Sequence, residues 1–128
     1  ACAAALAVID LMQKEGLAER GRVVGQTIRS RFVTLADRYP AIGDVRGLGA
    51  MLALELVKDR ATKEPNKELA TAIQSEALRR GLLLLTTGTY GNVIRILVPL
   101  TVEDQVLAEG LDVLEAAFGS TSSEALAE

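Results

Sequence analysis

Hydrophobic positions change period several times along this chain, and each change marks an element. Leu6, Ile9 and Met12, with Val8 beside them, form an apolar face over residues 1–15, and Gly16 follows where a glycine closes a helix. The first half of that segment is rich in Ala, a strong helix former, and apolar all round, as suits a helix covered on more than one side. Val24, Ile28, Phe32, Leu35 and Tyr39 recur at three- and four-residue spacing and predict a second helix over 17–39, ended by Pro40. Inside it, Gly21 and Gly25 are four apart, which fits a close approach or simple tolerance equally.

Beyond Pro40 the period falls to two. A short strand is predicted near 43–47 and a longer one near 50–57, with Leu52, Leu54 and Leu56 on one face and Met51, Ala53, Glu55 and Val57 on the other. The Gly47-Leu48-Gly49 stretch opens a strand, not a helix, so it reads as a bulge or a point of close approach for a backbone or ligand. Residues 58–65 read as a charged, exposed loop. Asn66 can cap a third helix that reaches Arg80 on Leu69, Ile73 and Ala77, with Gly81 as its closing residue. Residues 82–86 predict a strand, and 87–92 a loop rich in turn residues. Thr101 with Asp104 resembles a capping box opening a fourth helix to about Phe118, and 119–128 reads as a flexible tail. This order predicts an α+β domain, about four helices on a short, largely antiparallel sheet of about four strands.

The stretch that organises the chemistry is 91–101. Val, Ile and Leu surround a single cation, Arg95, and Pro99 stops the run. The pattern reads as a buried strand, and a guanidinium buried there needs a carboxylate or an anionic ligand. Asp44 and Glu55 are the carboxylates nearest the predicted strands, and each could pair with Arg95 or Arg46. An internal ion pair and an anion-binding role fit Arg95 equally, and the planar fork of arginine suits a carboxylate.

Composition narrows the alternatives. A length of 128 residues suits one domain, and a net charge of −3 argues against nucleic acid. Arg20, Arg22, Arg29, Arg31 and Arg38 are interleaved with acids and read as a solvated face. The lone Cys2 excludes an internal disulfide or Cys-based metal site and suggests a cytoplasmic setting, and no apolar run is long enough for a membrane. With no His, imidazole acid–base chemistry, His triads and His zinc sites are excluded. Lys14, Lys58, Lys63 and Lys67 all lie in charged or loop surroundings, unlike a lysine tuned for Schiff-base work. The start, without Met and already helical, reads as a piece of a longer or processed protein.

Three segments carry a resemblance: Ile-Gly-Asp-Val-Arg-Gly-Leu-Gly-Ala-Met at 42–51, Arg-Gly-Leu-Leu-Leu-Leu at 80–85, and Asn-Val-Ile-Arg-Ile-Leu-Val-Pro-Leu-Thr at 92–101. In this order and spacing they resemble the C-terminal part of the class III (ω-amino-acid) aminotransferases, nearest to those acting on 4-aminobutyrate. The opening Ala-Cys-Ala-Ala-Ala-Leu is similar to the helix by which that family returns to its small domain. The resemblance implies that 1–118 is the small domain of a fold-type-I enzyme dependent on pyridoxal 5′-phosphate, working as a homodimer. It implies transfer of the amino group of 4-aminobutyrate to 2-oxoglutarate, giving succinate semialdehyde and glutamate. Arg95 matches the family arginine that binds the substrate α-carboxylate, and Gly47 and Gly49 would bring backbone near the substrate. The Schiff-base lysine, the pyridinium aspartate, the phosphate-binding residues, the glutamate paired with the arginine and a second arginine for the distal carboxylate are implied to lie upstream of residue 1. The chain alone is then expected to be inactive and not to bind the cofactor. Three other readings remain: another ω-amino-acid aminotransferase, a stand-alone ferredoxin-like module gripping a small anion through Arg95, and a structural dimerisation domain.

Overall fold

The computed structural model describes the backbone of residues 1–124 and the side chains of residues 1–121. The elements in order are α1 (Cys2–Lys14), α2 (Leu17–Arg38), β1 (Ile42–Leu48), β2 (Met51–Leu56), α3 (Lys67–Arg79), β3 (Leu85–Thr87), β4 (Val93–Leu97) and α4 (Asp104–Glu124). The strands form one sheet in the order β1-β2-β4-β3, every neighbouring pair antiparallel. The fold is the α+β arrangement expected.

One face of the sheet carries the core. Leu52, Leu54 and Leu56 of β2 and Ile94 and Ile96 of β4 pack with Val24, Ile28 and Phe32 of α2, Ile73 of α3 and Leu114 and Phe118 of α4. Side chains alternate across a strand, so the opposite face takes Met51, Ala53 and Glu55 of β2 and Arg95 and Leu97 of β4. That face is open: Leu48 is 85% exposed and Leu97 is 62% exposed. β4 is therefore half-covered and alternating, not buried on both sides as its apolar run implied. Ile94 and Ile96 of β4 face the core, and Arg95 stands on the other face.

A β-bulge fixes which β1 residues join that open face. Ile42 pairs with Leu56 and Asp44 with Glu55, so Gly43 is an extra residue with no partner of its own. Ile42 accordingly turns into the core while Asp44 and Arg46 turn outward. A Cβ at Gly43 would lie 2.7 Å from both Cγ atoms of Val57. Val57 is fully buried just beyond β2, bridged to Pro65, and so leaves the outer face expected for it.

The β1–β2 turn is Gly49-Ala50, between the paired Leu48 and Met51. Gly49 has φ +54° and Ala50 is not in the left-handed region, as a two-residue turn with glycine first requires. This turn presses on α2: a Cβ at Gly25 would lie 2.0 Å from the Gly49 carbonyl oxygen. Gly25 thus marks a close approach, whereas a Cβ at Gly21 would only touch the Leu100 side chain at 3.5 Å.

Several boundaries differ from those expected. Residues 82–84 are not strand, because α3 closes through Gly81 and its exit leads elsewhere. The Leu82 amide donates to the Ala77 carbonyl at 2.8 Å and the Gly81 amide to Leu78 at 3.0 Å, a Schellman closure. The Leu84 carbonyl then accepts from the Gln74 amide at 2.9 Å, taking a side chain in place of a neighbouring strand. The N-cap of α3 is as expected, with the Asn66 side-chain oxygen accepting from the Leu69 amide at 3.0 Å. Helix α4 opens at Asp104, not Thr101, and the Asp104 carboxylate meets Arg20 at 2.7 Å instead of completing a capping box. Helix α4 also continues past Phe118 to Glu124, with Thr121 buried, so the expected tail is helical over 119–124; residues 125–128 lie outside the described residues.

The arginines of α2 do more than face solvent. Arg31 reaches Asp112 at 2.5 Å and Glu115 at 3.0 Å, Arg38 also binds Glu115, and Arg29 donates to the Gly47 carbonyl at 2.8 Å. The 58–65 loop likewise closes onto α2. Arg60 donates to the carbonyls of Pro40 and Ile42, each at 3.0 Å, and of Ala36, occupying acceptors that a helix C-terminus leaves free.

Candidate functional site on the open face of the sheet

Arg95 sits in the middle of a row that crosses all the strands. Arg46 pairs with Ala53, Ala53 with Arg95, and Arg95 with Leu85. The next row is Asp44, Glu55, Val93 and Thr87, and the row toward the hairpin tip is Leu48, Met51 and Leu97. Arg95 is therefore flanked by a small side chain, Ala53, and by the apolar Leu85 and Leu97.

The position of Arg95 depends on Asn92. That side chain is 2% exposed, its amide donates to the Leu56 carbonyl at 2.8 Å, and the Leu56 amide donates back to the Asn92 carbonyl at 2.8 Å. This clasp joins the end of β2 to the start of β4 and holds the register that sets Arg95 opposite Ala53. The sequence read residues 87–92 as a turn-rich loop; the Asn side chain within it was the available sign of a backbone clasp.

Of the two arginines on the face, only Arg46 is paired. Its Nη1 donates to Asp44 at 2.9 Å and also to Glu55. The Asp44 hydrogen bond first, and then that of Glu55, holds the Arg46 pKa above its ordinary value. The Arg95 side chain is exposed and makes no hydrogen bond or ion pair among the described residues. Both sequence-level candidates for its carboxylate partner are thus taken by Arg46. What remains is an accessible guanidinium with its planar donors unused, which can take a carboxylate through two parallel hydrogen bonds.

Gly47 and Gly49 stand at the hairpin end of the sheet. The Gly47 carbonyl is held by Arg29, and Gly49 lies against Gly25. Leu48 between them, the last residue of β1, lies on the Arg95 face. Beside it, a shallow apolar groove lined by Leu17, Gly21, Leu48, Met51, Leu97 and Leu100 connects the open face to the start of α2.

The described residues do not offer a place for a carbonyl cofactor that needs an amine. Lys58 pairs with Glu64 at 2.7 Å, and that contact raises its pKa, opposite to the shift a nucleophilic amine requires. Lys63 donates to the Gly43 carbonyl at 2.8 Å, and Lys14 and Lys67 are exposed. No step through such a group follows from these residues; what they offer on this face is an accessible guanidinium.

The family described as aminotransferase class-III matches residues 1–118. The chain is 51% identical over 115 residues to a Bacillus subtilis protein named "probable 4-aminobutyrate aminotransferase", covering 90% of this chain and 26% of that protein. It is 48% identical over 118 residues to the 5-aminovalerate aminotransferase of Pseudomonas putida, covering 92% of this chain and 28% of the relative. The chain thus spans about a quarter of the length of the curated relatives it matches. Among solved structures it superposes on an ω-transferase from Vibrio fluvialis with a TM-score of 0.84 and 33% identity, over 99% of this chain and 30% of that one. An amine transaminase from an uncultivated Pseudomonas species, in its PLP-bound form, gives a TM-score of 0.81 and 36% identity, over 94% of this chain and 27% of that one.

Proposed function

This chain belongs to the class-III aminotransferase family, and from that premise we propose that it supplies the substrate-carboxylate clamp of a pyridoxal 5′-phosphate-dependent aminotransferase. The amino donor in this reading is 4-aminobutyrate and the acceptor 2-oxoglutarate, with succinate semialdehyde and glutamate as products. Residues 1–118 act as the small domain. The cofactor, which supplies the electron sink when bound, is held by residues other than those described here, in a homodimer. The open face of the sheet and the exposed apolar side of α1 are the surfaces that the cofactor-binding part of such an enzyme would cover.

One observation carries the reading: Arg95 is an accessible guanidinium, unpaired among the described residues and flanked by Ala53, Leu85 and Leu97, while the carboxylates near it are held by Arg46. Arg95 grips the α-carboxylate of glutamate and 2-oxoglutarate, and the Gly47–Gly49 stretch, with Leu48 at the end of β1, lies toward the substrate side. The nearly equal identity to a 5-aminovalerate aminotransferase supports a second reading with that longer donor at the same site.

The test is Arg95→Lys in the complete enzyme, with the 4-aminobutyrate and 2-oxoglutarate half-reactions followed separately. The point charge survives and the fork is lost, so kcat/KM for 2-oxoglutarate should fall by about 1–3 kcal/mol of binding, and that for 4-aminobutyrate by much less. Equal losses in both half-reactions would assign Arg95 to folding.

A further inference from the structure

Glu55 has a choice of two arginines. It lies on β2, directly opposite Asp44 of β1 on one side and Val93 of β4 on the other. Arg46 and Arg95 are each two residues further along the neighbouring strands, so both stand diagonally from Glu55 on the same face. Diagonal neighbours on an antiparallel pair are about 7–8 Å apart, within reach of long side chains. Arg46 and Arg95 themselves flank Ala53 across two strand spacings, roughly 10 Å. Ala53 is too small to screen one side from the other.

The choice is settled by Asp44. Directly opposed like charges destabilise a strand pair, and Asp44 faces Glu55. Arg46 relieves this by binding both carboxylates through one guanidinium nitrogen. Arg95 could serve Glu55 only by leaving Asp44 and Arg46 to themselves. With Arg46 in place, every carboxylate on this face is held on the β1 side and Arg95 is left unpaired.

We propose that Arg46 is a positioning residue for Arg95: by holding Asp44 and Glu55, it keeps the chain's own carboxylates off the Arg95 guanidinium and leaves that guanidinium open to a substrate carboxylate. The proposal rests on the reading of Arg95 given above. Without Arg46, Glu55 is repelled by Asp44 and turns to Arg95, where it competes with the substrate as an internal carboxylate.

The test uses the 128-residue chain with 15N-labelled arginine. In the absence of ligand, Glu55→Gln should leave the Arg95 Nε–H resonance unmoved when Arg46 is present. In an Arg46→Met background the same Glu55→Gln change should shift it, because Glu55 has been captured. A resonance indifferent to Glu55→Gln in the Arg46→Met background, or one that responds to it with Arg46 intact, overturns the proposal. Arg46→Gln, which keeps a polar side chain at this exposed position, repeats the comparison if Arg46→Met does not fold. Titration with 2-oxoglutarate then separates this proposal from the reading beneath it. Arg46→Met should weaken binding at Arg95 by up to about fivefold, the range of an exposed charge pair, and Arg46→Met with Glu55→Gln should restore it. Loss without restoration marks Arg46 as structural and overturns the proposal. No response of Arg95 to 2-oxoglutarate in the parent chain overturns the carboxylate reading itself, even where the ligand-free comparison shows capture by Glu55.

Discussion

At the scale of single residues, two glycines of the same helix have opposite roles. A Cβ at Gly25 would meet the backbone oxygen of Gly49, which cannot rotate away; one at Gly21 would meet only the ends of Leu100. Gly25→Ala should therefore cost about 1–3 kcal/mol as overpacking, and Gly21→Ala should gain roughly 0.5–1 kcal/mol of helix propensity. Urea denaturation of both variants checks this, and equal effects would refute it. The sequence showed the pair four apart but could not tell them apart, because the difference lies in a turn far along the chain. Arg95 was similarly half-legible. Its identity and motif pointed to anion binding, but its freedom from Glu55 follows from the pairing of β1 with β2, which no local pattern records.

At the scale of elements, α2 and α4 are joined by charge as well as by core. Arg38 first, and then Arg31, holds the Glu115 carboxyl below its ordinary range. A carboxyl whose folded pKa is depressed stabilises the fold above the unfolded value of about 4.3 and loses that contribution as pH falls through the folded value. Glu115→Gln should flatten the acid limb of the stability–pH curve, with a loss at neutral pH of no more than about 1 kcal/mol for so exposed a network. Thermal melts between pH 3 and 7 measure it; an unchanged acid limb would show that the network contributes nothing. The face of α2 was read well, since Val24, Ile28, Phe32 and Leu35 all became core, whereas on α4 the core falls on Leu107 and Leu111 and leaves Val106 exposed. Element ends were read less well. The 82–86 strand shrank because Leu82 packs beside Gly110 of α4 and the Leu84 carbonyl is taken by Gln74, and α4 outran Phe118 with Thr121 buried and its hydroxyl bonded to Ala117. The 58–65 loop looked solvated, yet Arg60 fastens it to the end of α2 through carbonyls that leave no trace in side-chain pattern.

At the scale of the whole molecule, the helices cover one face of the sheet and leave the other to Arg95. Helix α1 buries none of its residues, and Leu6 and Val8 on it are 63% and 55% exposed. On the proposed reading, a chain with the substrate clamp but no suitably placed lysine among its described residues should bind carboxylates without turning them over. Incubation of the 128 residues with pyridoxal 5′-phosphate, 4-aminobutyrate and 2-oxoglutarate should yield no glutamate, and any sustained yield would contradict the proposed division of labour. The α+β class and the number of strands were readable from the alternation of periods. The strand order was not, because β2 and β4 pair across a whole helix.

The extra residue at Gly43 has a consequence for how such chains diverge. Most strand insertions and deletions alter length; one here would alter sidedness. Losing a single residue between Ile42 and Asp44 would force either Ile42 outward or Asp44 and Arg46 inward, exchanging core for clamp without changing another letter. A gap placed in this strand when relatives are compared is therefore a statement about which face each following residue occupies, and the bulge dictates where it belongs.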